Sequence, residues 1–270
     1  MKWNKILFFN TALLITLFSS CEKVISIDLQ NAKQVIVIEG EITTVKEPYL
    51  VTVSQSKNFE EDNTFTGRPE AVVTIKDLTS GVSEILLNRG GGAYQTSVLQ
   101  GVLGHTYQLT VALEGKTYVA TSTIPKTVVN LEALTAEYSS IDNDDIYMVP
   151  QYTDPAGKGN YYRIRQYVNG EVIKGSFVRS DDATDGLTYN GQLYYDTDKK
   201  SGNPLIRIGD QMTAELQCID KGVYDYFRTL NTTIDQDSAT PSNPLTNFSG
   251  GALGIFNACS SNFLTAEAKL

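Results

Sequence analysis

Val35-Ile36-Val37-Ile38-Glu39-Gly40-Glu41-Ile42 passes from a continuous apolar run into alternation, and Tyr49-Leu50-Val51-Thr52-Val53-Ser54 alternates throughout. A period of two sends successive side chains to opposite faces, so both segments are predicted strands, and the polar Thr43 to Pro48 between them is short enough for a hairpin loop. The same pattern repeats downstream. Ala71 to Asp77, Ser83 to Asn88, Ala93 to Thr96, Thr106 to Ala112 and Lys116 to Ser122 read as strands, separated by turns such as Thr79-Ser80-Gly81, Gly90-Gly91-Gly92 and Glu114-Gly115. Lys57 to Pro69 carries Glu60, Glu61, Asp62 and Asn63 without any period, which predicts a long exposed loop. About seven short strands with turn signals roughly every 8 to 12 residues predict an antiparallel β-sandwich over residues 34–130.

A join follows Ile124-Pro125-Lys126, and residues 131–270 are expected to form a second antiparallel β-domain, sandwich or barrel-like. Tyr161 to Val168 and Ser176 to Arg179 flank the turn dipeptide Asn169-Gly170; Leu193 to Tyr195, Leu205 to Ile208 and Met212 to Ile219 continue the β pattern. Lys221 to Asp235 departs from it. There Val223, Phe227, Leu230 and Ile234 recur at helical spacing, so one helix is expected over residues 221–235, packed with Tyr224 and Tyr226 across the open side of a sheet. Ser249 to Phe256 leads into a closing strand. Its glycines, Gly250, Gly251 and Gly254, precede neither Lys-Ser nor a helix, so close backbone packing accounts for them better than a phosphate loop.

Upstream, Lys2 and Lys5 precede an apolar stretch from Ile6 to Phe18, and Phe18-Ser19-Ser20-Cys21 sets small residues before a cysteine. That is the order of a bacterial lipoprotein signal, residues 1–20, with Cys21 as lipid acceptor and residues 21–33 as tether. The alternative is an ordinary secretory signal with Cys21 a bystander. At about 13 residues the apolar run is shorter than the roughly 20 that a membrane-crossing helix needs. The chain of 270 residues has 22 Lys+Arg against 31 Asp+Glu, and loss of Lys2 and Lys5 makes the formal charge of −9 more negative by two in the mature protein. Nucleic acid and anionic headgroups are therefore poor partners, and attachment to the membrane falls to lipid on Cys21.

An oxidising compartment makes a disulfide between the two remaining cysteines, Cys218 and Cys259, the natural expectation; the alternative is two buried thiols. Such a bridge would close a loop of about 40 residues and stabilise by roughly 3 to 4 kcal/mol. His105 is the only histidine, and without a partner for nucleophilic chemistry its expected role is structural. The acidic groups Asp142 to Asp145, Asp181-Asp182 with Asp185, and Asp196 with Asp198 lack the glycine and distal glutamate of a calcium loop, so solvated turns are expected and no metal or cofactor. Asn231-Thr232-Thr233 and Asn247-Phe248-Ser249 match the N-glycan pattern, which a bacterial signal disfavours.

Gly92-Ala93-Tyr94, Gly104 to Val111 and Gly115 to Tyr118, closing at Pro125, resemble immunoglobulin-like sandwiches of the transthyretin and carboxypeptidase-regulatory kind. Across nearly the whole chain the order of Cys21, Val37 to Ile42, Pro48 to Val53, Gly92-Ala93-Tyr94, Gly104 to Val111, the Tyr224-Tyr226 helix, Asn243-Pro244 and Gly250 to Phe256 resembles the lipoprotein family known as domain of unknown function 4249. The resemblance implies an outer-membrane lipoprotein, often encoded near a TonB-dependent receptor, and carries no catalytic residues. Asp237-Ser238-Ala239 resembles a short O-glycan acceptor of some Gram-negative envelope proteins, with Ser238 as the acceptor. The expectation is a non-enzymatic accessory or binding protein assisting such a receptor in nutrient uptake. The alternatives are an envelope glycan hydrolase using carboxylates such as Asp196 and Asp198, and a structural or adhesive surface module.

Overall fold

Alternation over residues 36–43 becomes a half-buried strand: Ile36, Ile38 and Ile42 enter a core while Val37, Glu39 and Glu41 face the other way. The computed structural model describes residues 34–57, 65–140, 145–198, 200–234 and 242–270. In chain order the first strands are β1 (Ile36–Thr43), β2 (Leu50–Gln55), β3 (Thr66–Gly67), β4 (Val72–Asp77), β5 (Ser83–Ile85), β6 (Leu87–Gly90), β7 (Ala93–Gln95), β8 (Thr106–Leu113) and β9 (Lys116–Thr123). They are followed by β10 (Ala133–Tyr138), β11 (Ile146–Thr153), β12 (Tyr161–Val168), β13 (Glu171–Ser180), β14 (Thr188–Tyr189) and β15 (Gln211–Ile219). Helix α1 (Lys221–Ile234), β16 (Phe248–Ser249) and β17 (Leu253–Glu267) complete the order. The fold is all-β and sandwich-like, and no helix among the described residues is long and apolar enough to cross a membrane.

One nine-stranded sheet, β13-β12-β15-β17-β1-β2-β7-β6 with β3 beside β2, is the floor of the structure. Two smaller sheets cover one of its faces. The five-stranded sheet β16-β9-β8-β4-β5 encloses a first core around Ile38, Val51, Tyr94, Ile75, Leu109 and Phe256. The three-stranded sheet β10-β11-β14 encloses a second around Ile164, Leu216, Cys218, Met148, Tyr152 and Leu193. On the opposite face, α1 lays Val223, Tyr226 and Phe227 against Ile219, Ile255 and Cys259. Asp220 caps the helix, its Oδ1 accepting the Val223 N–H at 2.9 Å, and its Oδ2 accepts the Ser122 hydroxyl at 2.6 Å, which ties the helix start to β9.

The expected cut between residues 34–130 and 131–270 is crossed by the closing strand, and Gln34–Leu270 form one compact unit. The Leu253–Cys259 half of β17 runs parallel to β1, and its Ser260–Glu267 half runs antiparallel to β15. Phe248, Ala252, Phe256 and Ala258 thus belong to the first core, so residues 34–130 do not close it alone. Pairing between the first and last strands leaves no trace in local periodicity, which is why a boundary near Pro125 looked sufficient.

The predicted hairpin turns hold. Asn169 and Gly170 have φ of 50° and 85°, and Glu114 and Gly115 have 51° and 74°, the paired left-handed conformation whose twist suits a two-residue hairpin. Sequence reading missed β10 and β11. In β11 five consecutive residues, Ile146 to Pro150, are buried, so alternation is lost, and Pro150 argues against a strand interior. Leu193 keeps only an isolated bridge to Met148, and Leu205 to Ile208 form no strand.

Candidate functional site

Between α1 and the uncovered face of the nine-stranded sheet lies a cleft of about 400 Å³. Its position follows from the pleat. Residues two apart on a strand share a face, so Arg163 and Arg165 of β12, Glu215 and Gln217 of β15, Asn257 of β17 and Glu41 of β1 all project away from the two cores. Tyr226, Phe227 and Leu230 of α1 form the opposing wall, with Leu50 and Ile255 extending its apolar part.

The polar side is one connected network. Glu215, 3% exposed at its side chain, accepts hydrogen bonds from Gln217 Nε2 at 2.8 Å, Tyr167 OH at 3.0 Å and Ser261 Oγ at 2.5 Å. Arg165 Nη1 lies 3.3 Å from the same carboxylate. Glu41 accepts from Asn257 Nδ2 at 2.9 Å and Gln217 Nε2 at 3.3 Å, and stands 3.5 Å from Arg163 Nη1 and 3.7 Å from Arg165 Nη1. Two guanidiniums and two carboxylates therefore balance, which is what permits burial of charges whose isolated transfer from water would cost several kcal/mol each. Arg163 also rests on Phe227, with 3.9 Å from guanidinium carbon to ring centroid, and its Nε donates to Ser176 Oγ at 3.3 Å.

Burial shifts the neighbours. It pulls the Arg163 guanidinium below its usual value against the opposing pull of Glu41. It pushes the Tyr167 phenol up, assisted by the Glu215 charge. The Cys259 thiol goes well above its ordinary value through burial and then the Glu41 and Glu215 charges, so it stays a neutral thiol rather than a nucleophile. Not every donor in the network is used. Among the described residues Arg163 Nη2 and Arg165 Nε and Nη2 make no hydrogen bond, and Asn257 Oδ1 is buried without a partner.

Residues singled out from sequence lie elsewhere or do other work. Cys21, Ser238 and Asp142 to Asp144 fall outside the described residues. Cys218 and Cys259 correct the expected disulfide: both are free and buried. Their strands are neighbours, but the register sets Cys218 opposite Ser260, and the pleat sends Cys218 into the second core and Cys259 to the helix face. Thiols pointing to opposite sides of a sheet cannot join without backbone movement.

His105 Nδ1 meets Asp77 Oδ2 at 2.7 Å, and Asp77 also accepts from Thr79 N, Ser80 N and Ser80 Oγ, so the carboxylate organises the β4–β5 turn. Those bonds hold the Asp77 carboxyl down at about 2 despite the opposing effect of burial. Asp196 Oδ1 accepts the Asp198 N–H and Asp198 Oδ1 the Lys200 N–H, a turn closed on itself outside the cleft. Asp181 and Asp185 do converge, with Asp154 as a third member absent from the sequence reading, their oxygens within 4.8 Å of one another. These carboxylates accept backbone N–H groups of Gly157, Gly159, Asn160 and Gly186 and the Tyr162 hydroxyl, and so tie adjoining loops together. Asn231 Nδ2 donates to Ser176 O and Asn247 Nδ2 to Phe256 O, so both amides serve the fold.

Nothing in the sequence reading named the cleft. Its signal was Tyr161 to Val168, where Arg163 and Arg165 alternate with Tyr162 and Ile164; charged residues at alternate positions look solvent-facing when the helix above them is unknown. A family model described as Domain of unknown function (DUF4249) matches residues 22–263. No curated protein matches the chain.

Proposed function

We propose a role for this chain on the premise that it belongs to the DUF4249 family: it is a lipid-anchored cell-envelope binding protein that holds a ligand in the α1 cleft and works with a TonB-dependent receptor in nutrient uptake. The observation that carries the reading is the cleft itself. A concave site of about 400 Å³ with one apolar wall and a convergent set of fixed polar groups has the make-up of a ligand pocket, and its size lies within the roughly 300 to 1,000 Å³ range of such sites. The groups lining it are held on strands and a helix rather than on loops, which favours a preformed site.

Anchorage rests on Cys21, since lipid contributes about 0.8 kcal/mol per buried methylene and no basic amphipathic segment follows it in the sequence. Outer membranes carrying tagged wild-type protein, solubilised and affinity-purified, should yield a TonB-dependent receptor. Cys21→Ser should lose lipid label and leave the membrane fraction. Recovery of no receptor together with membrane retention of Cys21→Ser would overturn the proposal. Leu230→Trp, which fills the cleft, should keep the receptor and lose uptake.

A further inference from the structure

We infer, resting on the reading of the α1 cleft as a ligand site, that its ligand is an apolar amino acid or short peptide. The carboxylate is taken by Arg165 and Arg163, the N–H groups face Asn257 and Glu41, and the side chain lies against Tyr226 and Leu230.

The carboxylate end follows from the arginines. Charge-assisted N–H···O bonds close to about 2.7 to 2.9 Å when a guanidinium is well paired. Arg165 instead stands 3.3 Å from Glu215 and 3.7 Å from Glu41, and Arg163 stands 3.5 Å from Glu41. The internal pairs are thus loose, and the N–H groups that make no hydrogen bond among the described residues, Nη2 of Arg163 with Nε and Nη2 of Arg165, sit on arginines that line a cleft open to solvent. A planar carboxylate matches two such N–H groups of one guanidinium.

The nitrogen end follows from charge and from the orphan acceptor. Glu39, exposed and lining the same cleft, adds a third carboxylate to the two that Arg163 and Arg165 balance, so an added anion with no compensating N–H or ammonium is disfavoured. Asn257 donates through Nδ2 to Glu41 and Gln217, which fixes the amide orientation and leaves Oδ1 as the buried acceptor without a partner. A ligand N–H supplies the missing donor. The apolar wall of Tyr226, Phe227, Leu230, Leu50 and Ile255 then selects an apolar side chain, and a volume of about 400 Å³ admits a dipeptide.

Calorimetric titration of the full-length detergent-solubilised protein with alanyl-phenylalanine, its C-terminal amide and octanoate tests the assignment. Saturable binding of the dipeptide is expected, weakened about tenfold or more by the terminal amide and by Arg165→Gln, the scale of one lost charge-assisted contact. Arg165→Lys should fall between, and Leu230→Trp, with all charges kept, should abolish binding. No heat with the dipeptide, equal affinity for its amide, unchanged affinity in Arg165→Gln, or octanoate binding as tightly as the dipeptide would each overturn it. Receptor recovery and the uptake defect of Leu230→Trp do not depend on the ligand's identity, so failure here is distinguishable from failure of the binding-protein reading.

Discussion

Glu41 and Asn257 stand 216 residues apart in sequence and are joined by an Asn257 Nδ2 to Glu41 Oε2 hydrogen bond of 2.9 Å. They face each other because β1 and β17 run parallel with Glu41 in register with Asn257. The same glutamate answers the charges of Arg163 and Arg165, so the first strand supplies the counter-charge for arginines brought by β12.

Glu41→Gln should therefore destabilise the fold while Glu39→Gln, at an exposed position of the same strand, should not. Removing one partner of a largely buried ion pair strands the other; with Glu41 31% exposed, a loss of about 1 to 3 kcal/mol is expected, below the 3 to 5 kcal/mol of fully buried pairs. Urea denaturation of the two variants measures it, and equal midpoints would show that the network adds nothing to stability.

Gly254→Ala should be far more damaging than Gly251→Ala. Gly254 has φ of +100°, and an added Cβ would lie 2.0 Å from Ile38 O, inside the β1–β17 pairing that joins the two halves of the chain. Gly251 has φ of +85° with nothing within 4 Å, so only the backbone strain of about 1 kcal/mol applies there. Soluble yield and denaturation midpoints separate the two; indistinguishable variants would refute the close approach.

Acid should weaken the first sandwich through Asp77. Its carboxyl is held down at about 2 from an ordinary 3.8, so the folded state binds the proton less readily than the unfolded chain. The stabilisation, about 2 kcal/mol, is complete above the unfolded value and is lost as pH falls from near 4 through about 2. Asp77→Asn should flatten that limb of the stability–pH curve. An unchanged slope between pH 4 and 2 would show that other carboxylates carry it.

Reduction should leave the melting temperature unchanged, because Cys218 and Cys259 are free and face opposite sides of the sheet. Burial raises both thiols above their ordinary values, so labelling by a thiol reagent should be slow until the protein unfolds. Peptide mapping without reductant that finds Cys218 bonded to Cys259 would contradict the register of β15 and β17.

Local chemistry was legible without coordinates. Alternation marked β1, β2, β4, β8, β9 and β12 to within a residue or two; Asn169-Gly170 and Glu114-Gly115 marked their hairpins; and Val223, Phe227 and Leu230 marked α1. Each signal is carried by a few consecutive residues obeying a backbone period, and a period survives whatever the rest of the chain does. β11 was lost where this failed, since burial on both sides and Pro150 removed the alternation.

The cleft belongs to tertiary structure alone. Its residues come from β1, β2, β12, β15, β17 and α1, and the two ends of the cleft meet only because β17 pairs with β1 along one half and with β15 along the other. In the sequence Arg163, Glu215 and Asn257 stand at outward positions of amphipathic strands, where a polar residue facing water and one facing a covered cleft look the same. What distinguishes them is the helix laid over that face, and periodicity tells which side of a strand is apolar but not what lies against the other side.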